Sequence, residues 1–84
     1  MAEVVLTQEA RQQLERLPAV IHLRVLGVLE RLSRWPDVSG AKSLRGDLAG
    51  HYRVRTGDYR VQFFIRGDTV VVTRMGHRDG FYDK

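Results

Sequence analysis

Eighty-four residues without a single cysteine make one small domain: a chain of this length buries roughly 60% of the surface its unfolded form exposes, which leaves no room for a cofactor domain beside a substrate domain. Disulfides and thiolate chemistry are excluded, no apolar run approaches the ~18 residues of a membrane helix, and the Met1-Ala2-Glu3 start lacks the basic and apolar stretches of a signal peptide, so a cytoplasmic protein is expected. The formal net charge is +4, and all of it lies in the second half: residues 1–41 carry five arginines against five acids, residues 42–84 nine Lys/Arg against five aspartates. A basic half beside a neutral one points to a polyanion, nucleic acid first and an acidic protein second, although the same excess also serves as a plain solubility charge.

Along the chain, residues 2–6 (A-E-V-V-L) read as a short strand. Thr7 stands at an N-cap position before a brief helix over roughly 8–17, with Ala10, Leu14 and Leu17 on one side. Pro18 stops that helix and suits the first turn of the next. The second helix, over roughly 18–35, sets Ile21, Val25, Val28, Leu32 and Trp35 at alternating spacings of four and three, a stripe suited to a sheet surface. Trp35-Pro36 ends it, and P-D-V-S-G is a loop. From residue 51 the period changes to two. Gly57-Asp58 and Gly67-Asp68 are two-residue turn signals between strands 51–56, 59–66 and 69–75. The order β-α-α-β-β-β predicts an α+β fold with a helical hairpin packed on one face of a small, largely antiparallel sheet.

Two-residue turns also predict the register. Arg55 should face Arg60, Val54 face Val61, and Arg53 face Gln62; beyond the second turn, Ile65 should face Val70, Phe64 face Val71, and Phe63 face Val72. Side chains alternate along a strand. One face then collects Tyr52, Val54, Val61, Phe63, Ile65, Val70 and Val72 as a core. The other collects Arg53, Arg55, Arg60, Gln62, Thr73, Met75 and His77, with Phe64 and Val71 at its far end. Like charges opposed across strands are destabilising, and no carboxylate relieves them, since Asp47, Asp58, Asp68 and Asp79 each adjoin a glycine at a turn. Arginines splayed into water at small cost account for this face. So does an anion site, because guanidinium forks match phosphate oxygens and keep their proton. Arg78, just past the last strand, extends such a site, and Tyr82 (or Phe81) is placed to stack on a base, unless it is an ordinary packing residue near a terminus.

Metal chemistry fits this sequence poorly. His22, His51 and His77 share no ligand spacing, and the aspartates sit at different turns. No cofactor or metal is expected. Ser33, Ser39 and Ser43 have no partner pattern of a nucleophile. RNA offers a metal-free route in which the ribose 2′-OH attacks the adjacent phosphate, and the protein need only align the strand and stabilise charge. Arginine serves the second task and is a poor base. His77 is the first candidate for proton transfer and Tyr82 the second.

The run S-L-R-G-D-L-A-G-H-Y-R-V-R-T-G-D-Y-R-V-Q-F-F-I, followed by V-V-V-T-R-M-G-H-R-D-G-F-Y, resembles the RelE family of the RelE/ParE toxin superfamily, the toxins of type II toxin–antitoxin pairs. The resemblance spans residues 1–84 as one toxin domain. It implies a cytosolic endoribonuclease that enters the ribosomal A site and cuts mRNA there, with a cognate antitoxin as partner and no membrane. Carried onto this sequence, it implies a catalytic set of Arg53, Arg55, Arg60, His77, Arg78 and Tyr82. Lys42, Arg45, His51, Gln62 and Arg74 are expected to be the RNA-binding residues around them. A ParE-like poison of DNA gyrase on the same fold, or a relative that only binds antitoxin or RNA, are the alternatives.

Overall fold

The computed structural model describes residues 2–81. The elements run β1 (Glu3–Leu6), α1 (Gln8–Glu15), α2 (Ala19–Leu32), β2 (Lys42–Ser43), a 3-10 turn (Gly46–Leu48), β3 (His51–Thr56), β4 (Tyr59–Arg66), β5 (Thr69–His77) and a second 3-10 turn (Arg78–Phe81). The sheet order is β1-β5-β4-β3-β2, antiparallel except for the parallel pairing of β1 with β5. The predicted α+β architecture, helices on one face of a largely antiparallel sheet, is the one found. Two-residue β2 and the 3-10 turns had no period to announce them. No helix among the described residues is long and apolar enough to cross a membrane.

Local chemistry accounts for the elements. The Thr7 hydroxyl caps α1 by accepting the Ala10 N–H at 3.1 Å. Pro18 occupies the N-cap of α2, one place earlier than the first-turn position expected, and its carbonyl accepts the His22 N–H at 2.8 Å. Gly57 and Gly67 have φ of 62° and 59°, and the aspartates after them do not have positive φ. Positive φ at the first central residue alone is the pattern of the II′ turn, whose twist matches that of the flanking strands.

The core lies between the helices and one sheet face. Val25, Val28 and Leu32 of α2 and Ala10 of α1 meet Val54, Val61, Phe63, Val70, Val72 and Met75, all buried. Each fully buried Val, Leu or Phe contributes about 1.5–3 kcal/mol. Trp35 closes one end, edge-on to Tyr52 and Phe63 with ring centroids 4.9 and 5.4 Å away.

The β3–β4 register is as expected from the Gly57-Asp58 turn, and so is the first part of β4–β5 up to Phe63 opposite Val72. There the pairing shifts. Gln62 faces Arg74, Val61 faces Met75, and Tyr59 faces His77, so Thr73 is an extra residue in β5. This β-bulge inverts every later side chain relative to simple alternation. Met75, expected beside the arginines, is a core residue with 2% exposure. His77, also expected there, lies with Tyr59 on the helix side of the sheet, its ring 5.3 Å from the tyrosine ring. Thr73, expected on the arginine face, is the residue the bulge sets aside.

Candidate functional site: a cationic groove on the open sheet face

The face away from the helices carries the charge. Lys42 of β2, Arg53 of β3, Gln62 of β4 and Arg74 of β5 form one cross-strand row. The next row holds Arg55, Arg60 and Gly76. Between them opens a groove of about 660 Å³ lined by Gly40, Lys42, Arg53, Arg55, Gly57 and Arg60.

Burial grades these cations. Arg60 is only 4% exposed and forms the floor, with Gln62 at 7% beside it. Arg53 is half-buried, and Lys42 and Arg55 are exposed at the rim. Among the described residues no carboxylate pairs with Lys42, Arg53 or Arg55. A concave surface with this many cations close together favours an anion with several oxygens, and phosphate esters fit the guanidinium fork. Among the described residues no three His, Asp or Glu side chains cluster in a way that could hold a metal ion.

The sequence model for the ParE toxin of the type II toxin–antitoxin system parDE matches residues 4–80. This chain belongs to the RelE/ParE family of type II toxins. Toxin RelG of Mycobacterium tuberculosis is 39% identical over 90% of this chain and 90% of its own length. Toxin RelE3 of Methanocaldococcus jannaschii is 28% identical over 86% of this chain and 85% of its own. The toxin–antitoxin complex RelBE2 of Mycobacterium tuberculosis contains a chain that superposes with a TM-score of 0.81 at 38% identity, covering 92% of this toxin and 98% of that chain.

Of the residues singled out in the toxin's sequence, Lys42, Arg53, Arg55 and Arg60 converge on the groove, and Gln62 and Arg74 share its face. His51 is on the same face, one row further along, opposite Phe64 with ring centroids 5.3 Å apart. Arg45 is exposed ahead of the first 3-10 turn and does not line the groove. Arg78 opens the second 3-10 turn. Its N–H donates to the Asp58 carbonyl at 2.7 Å, which ties the end of β5 to the β3–β4 turn. Its side chain, 53% exposed, reaches Asp79 at 3.7 Å. His77 Nδ1 accepts the Asp79 N–H at 3.2 Å and sits 3.5 Å from the Asp79 carboxylate. Asp79, read as a turn residue, is therefore also the partner of both tail side chains. Tyr82 lies outside the described residues.

The groove wall also holds Gly40 and the turn residue Gly57, with a cation beside it, and no sequence pattern marks any of the three as part of the groove. The Arg24 guanidinium of α2 comes within 3.4 Å of where a Cβ on Gly57 would sit. Arg24 falls outside the apolar stripe of its helix, so nothing in the periodicity ties it to the turn.

Proposed function

We propose that this toxin is a metal-independent endoribonuclease that cuts mRNA in the ribosomal A site, acting in the cytoplasm and held in check by a cognate antitoxin. One observation carries the reading: Lys42, Arg53, Arg55 and Arg60 converge on a single open groove, with Arg60 buried at its floor. Opposed like charges destabilise a small fold, and a bound phosphate offsets that penalty.

In the proposed reaction the ribose 2′-oxygen attacks the adjacent phosphorus and the P–O5′ bond breaks. The products are a 2′,3′-cyclic phosphate and a free 5′-OH. The 2′-OH proton leaves to a base, and a proton is delivered to the departing 5′-oxygen. Arg53, Arg55 and Arg60 hold the phosphate and stabilise its developing charge, a contribution commonly worth 10²–10³ in rate per donor, of the order of 3–4 kcal/mol. Arg78 lies next to the β3–β4 turn at the end of the groove. His77 Nε2 is the ring nitrogen left for proton transfer, since Nδ1 accepts from the Asp79 amide. Its position on the helix side of β5 requires substrate to wrap the end of the strand.

For the partner, the RelBE2 structure is a toxin–antitoxin complex. Here α2 leaves Val20, Leu23 and Leu26 exposed, a surface for an amphipathic segment of an antitoxin. The test is expression of the chain followed by mapping of mRNA 5′ ends, with and without ribosomes. New 5′-OH ends within translated codons support the reading. Loss of DNA supercoiling with intact mRNA overturns it in favour of a gyrase poison on the same fold.

A further inference from the structure

Around its bulge, β5 is contacted from outside the sheet by residues of α1 and its cap. A bulge leaves backbone groups off the ladder, and a buried N–H needs an acceptor from elsewhere. The Thr73 hydroxyl donates to the Gln62 carbonyl across the bulge at 3.4 Å, while the Thr73 carbonyl and the Met75 N–H just beyond it are met from α1 and its cap. The Thr7 hydroxyl donates to the Thr73 carbonyl at 3.4 Å, and Gln13 Oε1 accepts the Met75 N–H at 2.7 Å. The Gln13 amide is itself oriented, because its Nε2 donates to Glu9 Oε2 at 3.4 Å one turn earlier.

This small contact has a consequence on the opposite face. With the bulge in place, Met75 enters the core opposite Val61, and Arg74 reaches the groove face opposite Gln62 in the row of Arg53 and Lys42. Without it, each residue after Val72 turns over: Arg74 faces the helices and Met75 faces the groove. We infer that Gln13, a residue that touches no part of the groove, is a positioning residue for it, acting through the Met75 amide to hold β5 in the phase that delivers Arg74. The inference rests on the reading of the groove as an RNA site.

The test combines amide hydrogen exchange by NMR with the affinity of the full chain for a labelled single-stranded oligoribonucleotide. Gln13→Met keeps length and helix propensity and removes the acceptor. A carboxylate at position 13 keeps the acceptor but faces Glu9 at i, i+4, so the restoring variant is the swap E9Q/Q13E, in which residue 9 can donate to residue 13. In Q13M the Met75 amide is expected to exchange at least tenfold faster while Val61 and Phe63 amides keep their protection. The Kd for the oligoribonucleotide is expected to rise three- to tenfold. E9Q/Q13E restores both, and in an Arg74→Gln background Q13M adds no further loss. Unchanged Met75 exchange, failure of the swap to restore, an equal loss of affinity with and without Arg74, or uniform loss of protection across Val61, Phe63 and Met75 each overturns the inference. A wild-type chain that does not bind the oligoribonucleotide overturns the RNA reading instead, and the exchange rates then still decide whether Gln13 sets the phase.

Discussion

Arg55 and Arg60 stand directly opposite each other on β3 and β4, and Arg60 is 4% exposed. Like charges directly opposite across two strands are, as a rule, destabilising. The pairing of Arg55 with Arg60 is set by the two-residue turn Gly57-Asp58, which leaves only four residues between them in the chain.

Removing the rim member should therefore stabilise the protein while weakening it as a toxin. Arg55→Ala is expected to gain about 0.5 kcal/mol, within the range for cross-strand pairs, and to raise the Tm by about 2–4 °C at low salt, given ~4–8 °C per kcal/mol for a domain this small. Calorimetry at low and at about 0.5 M salt checks it. The gain should shrink as salt screens the repulsion, and a lower Tm at low salt refutes the opposed-charge account.

Arg60 and Arg78 separate packing from chemistry. Arg60→Ala strips a buried side chain from the groove floor and should lose about 1–3 kcal/mol of stability along with the phosphate contact proposed for it. Arg78→Ala, at a side chain 53% exposed, should stay within about 0.5 kcal/mol of wild type. Cleavage in ribosomes should fall about 10²–10³-fold in both. Undiminished toxicity of a well-folded Arg78→Ala variant removes that residue from the site.

Salt should titrate the grip. If Lys42, Arg53, Arg55 and Arg60 all meet phosphates, the logarithm of the RNA association constant should fall against the logarithm of salt concentration with a slope near −2.8, from about −0.7 per contact on a single strand. Replacing Arg53 by Gln should flatten the slope by about 0.7. A slope unaffected by the substitution places the RNA elsewhere.

Met75 reports the bulge. Met75→Ala should cost about 2–5 kcal/mol in denaturant unfolding, as expected of a core methionine. In an uninterrupted strand the same residue would face solvent and the change would stay within about 0.5 kcal/mol.

Much of this toxin is readable from local pattern. Period-two runs bracketed by Gly57-Asp58 and Gly67-Asp68 specify the strands, and a two-residue turn dictates the pairing outward from itself: hence Arg55 opposite Arg60 and Phe63 opposite Val72 follow from residue order alone. The stripe Val25, Val28, Leu32 likewise announces the buried side of α2. What local pattern could not reach is the end of β5. Whether Met75 or Arg74 faces the helices depends on a bulge at Thr73, and the groups that hold it, Thr7 and Gln13, lie more than sixty residues earlier in the chain. Thr73 carries no glycine-like mark to betray it. Two-residue β2 is similar: Lys42 joins the cationic row only because β3 offers it an edge. Alternation and turn chemistry act between neighbours, so they are written in the sequence. The phase of a strand beyond a bulge is settled by which distant side chain accepts its stray N–H, and only the folded chain brings that acceptor within 2.7 Å.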